Sequence, residues 1–219
     1  IGGTFTDVVL VGPGGEIMTR KVSSTEDDYA RGILTGIQDL LASVDHQNIN
    51  VSEIMHGTTV ASNTILQMAG ARTGLITTSG FRDVLELRTL RMPRLYDLKW
   101  EKLPPLVERY LRVEVDERID RDGKVEKVLE LADIQQAVER LMTEGVEAIA
   151  VCLINSFANP VHEHLILEVI QDMAPNLPCC ISYNVLPEIK EYERTSTTVI
   201  NAYLLPVIAS YLDSLVARL

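Results

Sequence analysis

The chain has 219 residues, 46% of them hydrophobic, which is enough to bury the core of one large domain or two small ones. Its formal net charge of −11 argues against general binding to nucleic acids or anionic membrane surfaces, because their phosphate groups would be repelled. The best apolar run, residues 148–154, has the length of a buried strand, so no membrane-spanning helix is predicted. The odd number of cysteines, two of them adjacent, is a poor disulfide framework and predicts a protein of the reducing cytoplasm.

The first predicted element is a β-hairpin. Residues 4–11 and 16–22 are extended, apolar runs, and a Gly-Pro-Gly-Gly turn joins them. Residues 24–28 then supply an N-cap and first-turn acids for an amphipathic helix. The apolar face of this helix, which we expect to cover the sheet, carries Ile33, Leu34, Ile37, Leu40 and Leu41.

Strands and helices alternate in the next part of the chain. A short strand near Ile54 leads to a helix over residues 61–68, and a strand follows over residues 73–78. Residues 81–102 are dense in arginine and match no element pattern.

The second half of the chain repeats this alternation. Its predicted elements are a hairpin made of strands 111–119 and 124–128, helix 131–144, strand 146–154, helix 162–173, strand 178–183 and a long helix 195–219 kinked at Pro206. A hairpin followed by strand-helix alternation predicts an α/β fold with a mixed sheet flanked by helices, and a ribonuclease H-like sheet fits that order.

Residues 2–7 form the stretch with the most direct chemical interpretation. Gly2 and Gly3 allow backbone amides to approach an oxyanion closely, and Thr4 and Thr6 add hydroxyl donors. Asp7 can hold Mg²⁺ directly or through water, since hard cations in nucleotide sites take few carboxylates. The alternative is an ordinary glycine turn that opens the hairpin. Two threonines and an aspartate in the same turn favour a phosphate site.

A second candidate stretch, His-Gly-Thr-Thr at residues 56–59, joins a strand to a helix. Exposed amides and the hydroxyls of Thr58 and Thr59 would suit an anion or a substrate carbonyl at that helix start. An ordinary N-cap would use the same residue types. Spacing alone supports the two interpretations equally.

A third candidate stretch, residues 193–198, places Arg194 beside four hydroxyl side chains at the start of the last helix. Thr195 or Ser196 could be the N-cap of that helix. The stretch is nevertheless more polar than capping requires, which favours a site that includes Arg194.

Other polar residues receive structural interpretations. Arg88, Arg91 and Arg94 could clamp a carboxylate or phosphate, although a solvated face or a subunit contact explains an arginine-rich run better. His162 and His164 are predicted on an exposed helix without metal-ligand spacing. Cys152 lies in an apolar strand and is predicted to be an inert core residue.

Together these stretches resemble the signatures of the hydantoinase A/5-oxoprolinase family, which includes N-methylhydantoinases and the β subunits of acetone carboxylases. Residues 1–7 are similar to the family's amino-terminal phosphate motif, residues 56–63 to its second signature and residues 80–83 to its third. Residues 193–203 are similar to the segment that begins the following domain. The resemblance therefore covers nearly the whole chain.

The resemblance implies an actin-like ATPase fold whose two related domains close over ATP and Mg²⁺, with phosphorylation of an amide or ketone oxygen. Residues 1–194 would be the N-terminal domain without its first strand, and residues 195–219 the start of the following domain. The residues carried over are Gly2, Gly3, Thr4 and Thr6 for phosphate, Asp7 for the metal or the attacking group, and Thr58, Thr59 and Arg194 for the substrate side.

The implied partners are a small cyclic amide or ketone and a hydantoinase B-type subunit or its fused equivalent, in a cytoplasmic oligomer. Two departures from the family pattern bear on activity. The family motif has an aspartate directly before the position of Ile1, and family members carry a second glycine-rich phosphate motif on the later domain. We therefore expect the 219-residue chain alone to lack hydrolase activity.

Three other functions fit parts of the sequence. An ATP-dependent ketone carboxylase subunit would use the same carbonyl activation, and a sugar-kinase or acetate-kinase-like phosphotransferase would share the fold. The threonine-rich stretches favour an amide substrate over a sugar hydroxyl. A non-catalytic assembly module would instead use the arginine-rich segment as a partner surface, and a second Gly-Gly-Thr motif downstream would favour an enzyme over such a module.

Overall fold

A computed structural model describes residues 1–25, 28–43, 50–89, 96–97 and 99–218. The chain divides into two compact units. The first unit consists of residues 1–69 and 207–219, and the second unit consists of residues 70–206. The domain boundary predicted after residue 194 lies inside a helix that is continuous from Glu191 to Val216.

The first unit contains the predicted hairpin and the helix that covers it. Its elements are β1 (Phe5–Val11), β2 (Ile17–Ser23), α1 (Tyr29–Ala42) and α2 (Val60–Leu66). β1 and β2 pair antiparallel, which confirms the hairpin. Gly36 of α1 packs so closely on the hairpin that a Cβ there would lie 2.6 Å from the Cγ2 atom of Val8. The helix therefore covers one face of the hairpin, as predicted.

The other face of the hairpin is exposed and partly apolar, with Phe5, Val9 and Ile17 each about half exposed or more. Residues 50–59 form no regular element, so the short strand predicted near Ile54 is wrong. A strand needs a neighbour for its backbone hydrogen bonds. In the described part of the chain, residues 51–56 form no backbone–backbone hydrogen bond with another segment.

The second unit is built on a parallel sheet with strand order β4-β3-β7-β8. Its strands are β3 (Thr73–Thr78), β4 (Arg112–Val115), β7 (Ala148–Cys152) and β8 (Cys179–Ile181). Its helices are α3 (Val84–Leu87), α4 (Leu131–Thr143), α5 (Val161–Met173), α6 (Ser182–Val185) and most of α7 (Glu191–Val216). Every residue of β3 and β7 is buried, because helices between parallel strands cover both faces of the sheet.

The predicted second hairpin is only partly formed. Its first strand splits into β4, which pairs parallel with β3, and β5 (Arg118–Ile119), which pairs with β6 (Val125–Lys127). The alternation of side chains continues through Asp116 and Glu117, where the chain leaves one sheet and enters another. Among the described residues the strands form three separate sheets rather than one mixed sheet, although the α/β class is confirmed.

The last helix, α7, begins at Glu191, before the predicted start at residue 195. Thr195 and Thr198 are therefore inside the helix, where their hydroxyls donate to the carbonyl oxygens of Glu191 and Arg194, each at 2.7 Å. The predicted N-cap role of Thr195 or Ser196 is wrong. Pro206 lies inside the helix, as predicted.

By length and composition alone, α7 is also apolar enough to cross a membrane, with a mean hydropathy of 1.5 over its best window. The search for uninterrupted apolar runs did not indicate this helix, because hydroxyl side chains separate the apolar residues of α7. Core helices meet the same criterion, so this is weak support for a membrane span.

Candidate active site

The turn at Gly2 and Gly3 is held by a hydrogen bond within its own backbone and by Ser24, the residue that follows β2. The N–H of Gly2 donates to the carbonyl oxygen of Phe5 at 2.9 Å, and Ser24 Oγ donates to the carbonyl oxygen of Gly2 at 2.8 Å. A Cβ on Gly3 would lie 3.0 Å from the side-chain amide of Asn63, so the close approach favours glycine. Within the described ranges, the N–H groups of Gly3 and Thr4 donate to no protein acceptor. Two backbone donors thus remain available to a ligand.

This turn and the His-Gly-Thr-Thr loop meet directly through Ile1. Ile1 N donates to the carbonyl oxygen of Gly57 at 2.6 Å, and Thr59 N donates to the carbonyl oxygen of Ile1 at 3.0 Å. Asn63 Nδ2 donates to Thr59 Oγ1 at 3.3 Å. Thr58 and Thr59 are exposed, and a Cβ on Gly57 would meet open space. Two stretches far apart in sequence therefore form one exposed polar surface.

Thr6 and Asp7 occupy opposite faces of β1. Thr6 is only 3% exposed, and its hydroxyl is 3.0 Å from Ser24 Oγ, so it stabilises the turn from inside. Asp7 is on the outer face, with its side chain 64% exposed and Oδ1 2.5 Å from Lys21 Nζ. The hydroxyl of Thr6 is therefore buried and does not point to a surface where it could make the predicted contact with a phosphate. The carboxylate of Asp7, in contrast, is accessible.

A magnesium nucleotide is compatible with this surface. The part of the chain that the structure describes contains no group of three or more His, Cys, Asp or Glu side chains able to hold a metal. Mg²⁺ in nucleotide sites usually keeps several waters and takes one or two carboxylates plus phosphate oxygens. Asp7 could be such a carboxylate, and Lys21 beside it would compensate phosphate charge. Lys21 could have been found from the sequence, because the hairpin register places it opposite Asp7.

Arg194 lies in the second unit and is completely buried. Its guanidinium group donates to Ser156 Oγ, to Ser182 Oγ at 3.1 Å and to the carboxylate of Glu191. The ring of Phe157 lies 5.7 Å from its Cζ atom. In this structure Arg194 therefore contacts interior hydroxyls. Its guanidinium group is not accessible to a substrate, which its predicted role on the substrate side would require.

A buried carboxylate, Glu163, accounts for much of this interior polarity. Its Oε1 accepts hydrogen bonds from the N–H of Leu153 at 2.9 Å and from Ser182 Oγ at 2.7 Å, and its Oε2 accepts one from the N–H of Tyr183 at 2.9 Å. Burial raises the pKa of Glu163. Nothing in the local sequence distinguishes this residue from an ordinary acidic residue in the first turn of a helix.

A second buried pair corrects the prediction for His162. The residue is only 5% exposed, and its Nδ1 lies 2.7 Å from Oε2 of Glu117, itself buried. Thr78 donates to the other carboxylate oxygen of Glu117 and accepts the N–H of Ile154 at 2.9 Å. His164, by contrast, is exposed as predicted. Helical periodicity places His162 at the start of α5 but does not show what covers it.

The remaining predictions have mixed outcomes. Arg88 donates to the carbonyl oxygen of Leu103, while Arg91 and Arg94 lie outside the described residues. The bidentate pair in this region is instead Arg109 with Asp83, with both N–O distances at 2.9 Å. Cys152 is buried, and burial raises the pKa of its thiol to about 11, which fits an inert core residue.

Residues 1–174 match the model of the hydantoinase/oxoprolinase N-terminal region. The chain belongs to the hydantoinase/oxoprolinase family. This confirms the resemblance derived from the glycine and threonine stretches. The match covers residues 1–69 of the first unit and residues 70–174 of the second unit.

Two relatives are about a third identical to the chain over the region that aligns with it. Caprolactamase subunit alpha of Pseudomonas jessenii is 35% identical over 97% of this chain and 31% of its own length. The acetophenone carboxylase gamma subunit of Aromatoleum aromaticum is 35% identical over 93% of this chain and 30% of its own length. The chain thus spans about a third of the length of these relatives.

Solved structures give the same result. The crystal structure of ATP-dependent caprolactamase from Pseudomonas jessenii is similar with a TM-score of 0.87, at 34% identity over 99% of this chain and 33% of that one. Nucleotide-free acetone carboxylase, from a study of ATP-dependent acetone carboxylation, is similar with a TM-score of 0.84 at 25% identity over the same shares. The arrangement of sheets and helices is therefore that of the corresponding region in these enzymes.

Proposed function

We propose that this chain is the N-terminal part of an ATP-dependent hydrolase that acts on a cyclic amide of the hydantoin or 5-oxoproline type. The observation that carries the proposal is the joining of the Gly2-Gly3 turn to the His56–Thr59 loop in one exposed surface. This surface offers backbone N–H groups and hydroxyls, which suits an anionic ligand such as a phosphate chain.

The chemistry of an amide explains why ATP would be needed. A lactam carbonyl is a poor electrophile, and ATP would supply the phosphoryl group that converts its oxygen into a leaving group. The N–H groups of Gly3 and Thr4 would hold phosphate oxygens, and Asp7 would hold Mg²⁺ with water. Thr58 and Thr59 would orient the amide carbonyl. Such transfer depends on positioning and charge neutralisation rather than on a covalent enzyme intermediate.

The ribonuclease H-like, actin-like arrangement is part of the same proposal. Ile1 already forms a parallel backbone bridge around Thr58, and β1 pairs with β2 on one edge only among the described strands. A cavity of about 210 Å³ lies along the free edge of β1 and against residues 51–57. A strand directly preceding Ile1 would fill this slot, antiparallel to β1, and would complete a mixed sheet. The following domain, starting near residue 195, would supply the other side of the nucleotide cleft.

Ketone carboxylation is the second candidate function. It is favoured by the similarity to the acetophenone carboxylase gamma subunit and to acetone carboxylase. Both reactions would start by phosphorylating a carbonyl oxygen, so the same donors would serve. In either case we propose a partner subunit of the hydantoinase B type or its fused equivalent, within a cytoplasmic oligomer.

A substrate panel tests this proposal. The full-length protein with its partner subunit would be mixed with Mg²⁺-ATP and hydantoins, lactams or ketones, the ketones with and without bicarbonate, and phosphate release followed. Stimulation by a cyclic amide without bicarbonate supports the hydrolase. Stimulation by a ketone only with bicarbonate supports the carboxylase. A sugar or acetate phosphorylated in place of either would reject both functions.

The 219-residue chain alone should show no amide-dependent ATP hydrolysis. The donors of the first unit would neutralise only part of the negative charge of the ATP phosphates, so the isolated chain would bind ATP weakly. Phosphate release by the isolated chain in the presence of hydantoin or 5-oxoproline, above that of an Asp7→Asn variant, would contradict this expectation.

A further inference from the structure

Tyr211, near the end of α7, contacts the His56–Thr59 loop from inside the first unit. The residue is only 7% exposed and belongs to a small apolar cluster with Ala30, Ile33, Val60 and Leu215. Its ring packs edge-on against Tyr29, with centroids 6.1 Å apart, and lies 5.7 Å from the ring of His56. The Tyr211 hydroxyl is hydrogen-bonded to Nε2 of His56. Packing alone would not require a tyrosine rather than a phenylalanine here.

The hydrogen bonds around Tyr211 define which atoms carry the protons. The N–H of Val60 donates to Thr58 Oγ1 at 3.1 Å, and the Thr58 hydroxyl is also bonded to the Tyr211 hydroxyl, where it lowers the phenol's pKa. Thr58 Oγ1 already accepts the N–H of Val60, so its own proton is free to be donated to the oxygen of Tyr211. Thr58 therefore donates to Tyr211, which leaves the phenol proton for Nε2 of His56.

The pKa shifts of both groups favour their neutral forms. Burial raises the pKa of the Tyr211 hydroxyl, despite the bond from Thr58. Desolvation of the ring lowers the pKa of His56. A neutral imidazole that accepts a hydrogen bond at Nε2 carries its proton on Nδ1. His56 is exposed, so this ring is accessible from the loop surface.

We infer that Tyr211 is a positioning residue, which holds His56 as the Nδ1–H tautomer so that the loop offers an N–H donor to a substrate carbonyl oxygen. This inference rests on the proposed function. A neutral imidazole can polarise a carbonyl group without protonating it. Beside the hydroxyls of Thr58 and Thr59, the ring would help to orient the amide whose oxygen is phosphorylated.

The tautomer can be measured without any substrate. Long-range ¹H–¹⁵N NMR spectra of the chain distinguish a protonated ring nitrogen from an acceptor nitrogen. In the wild type we expect one tautomer of His56, with Nδ1 protonated. In Tyr211→Phe both nitrogens should shift towards the averaged values of a mixture. Tyr29→Phe, which removes a hydroxyl from the same aromatic cluster, is the matched control and should leave the spectrum of His56 unchanged.

A second variant keeps the test decisive if Tyr211→Phe does not fold. Thr58→Val removes the hydroxyl that donates to Tyr211 while keeping a β-branched side chain. It should also mix the tautomers of His56, because the Tyr211 proton would no longer be directed to Nε2. A wild-type His56 protonated on Nε2, or a tautomer that neither variant changes, would overturn the inference.

The catalytic consequence is tested in the full-length protein with its partner subunit. The side-chain amide of asparagine lies near the position of Nδ1, and that of glutamine near the position of Nε2. His56→Asn should retain most amide-stimulated phosphate release, whereas His56→Gln should lose on the order of a hundredfold, as for a lost oxyanion donor. The reverse order would reject a donor at Nδ1. If the wild type shows no amide-stimulated release, the proposed function fails, while the NMR result still decides the role of Tyr211.

Discussion

The two units of this chain treat polar side chains in opposite ways. In the first unit, Thr58, Thr59 and Asp7 are exposed on loops and on the outer face of a hairpin. In the second unit, Glu163 and Arg194 are completely buried where the strands of the parallel sheet end. Ligands often bind at the carboxyl ends of such strands. Here the protein's own side chains fill that place.

This difference shows that a polar, hydroxyl-rich stretch has no single meaning. The stretches around Thr58 and Arg194 look alike in composition and both precede a predicted helix. Only the first leaves its donors accessible. The second satisfies buried charges, which would be very costly to leave without partners. Chemistry is therefore expected from the accessible donors of the first unit, and stability from the buried polar network of the second.

The largest expected effect comes from breaking the interior network. Arg194→Met should destabilise the protein by about 3–5 kcal/mol, because the partly buried carboxylate of Glu191 would lose its partner and two buried serines would lose a donor. Chemical denaturation monitored by circular dichroism measures this change. Arg121→Met, at a residue whose side chain is 90% exposed, should stay within about 0.5 kcal/mol. Unchanged stability with lost activity would restore Arg194 as a substrate ligand.

A pair of glycines sharpens the contrast. A Cβ on Gly70, in the second unit, would lie 2.1 Å from the ring of Tyr203, so Gly70→Ala should cost about 1–3 kcal/mol. A Cβ on Gly57 would meet open space. Gly57→Ala should therefore fold normally but weaken amide-stimulated phosphate release in the full-length protein. Equal stability losses in both variants would show that the loop is packed as tightly as the core.

The pH dependence of stability should report the buried carboxylate. Because burial raises the folded-state pKa of Glu163, the folded state holds its proton to higher pH than the unfolded state does. This group's contribution to the free energy of unfolding should fall as pH rises from the ordinary Glu pKa to the raised one. Glu163→Gln should remove that fall in denaturation curves measured across pH. Glu168→Gln, on the exposed side of the same helix, should reproduce the wild-type profile.

The smallest effect on stability is expected at Asp7. Its ion pair with Lys21 is exposed, so Asp7→Asn should change the free energy of unfolding by less than about 1 kcal/mol. Activity of the full-length protein should nevertheless fall strongly if Asp7 holds Mg²⁺. Asp39→Asn, which removes a comparable exposed pair with Arg20, is the control for both measurements. Equal activity in the two variants would show that Asp7 does not hold Mg²⁺ in the active site.

Local sequence patterns were sufficient for most elements of the fold. The hairpin, α1 and the strands β3 and β7 follow from runs of apolar residues and from their period, because burial imposes that period on each element. The prediction of a strand near Ile54 used the same kind of pattern and was wrong. A strand is stabilised by its neighbour, and periodicity does not show whether a neighbour is there.

The candidate site could be predicted only as separate pieces. The glycine turn and the His-Gly-Thr-Thr loop were each identified from residue type, and both were assigned to phosphate or substrate before their contact was known. Tyr211 had no signal of its own, since it is one of several aromatic residues in a long helix. Its importance arises from one hydrogen bond to His56, which lies 155 positions earlier in the chain.

The sequence by itself determined the family, the α/β class and the residue types able to bind phosphate, because glycine, threonine and aspartate carry those properties wherever they are placed. Tertiary structure alone decided which polar groups remain accessible. Exposure depends on what packs against a residue from distant parts of the chain. That is why Thr59 and Arg194, similar in their local sequence, have opposite environments.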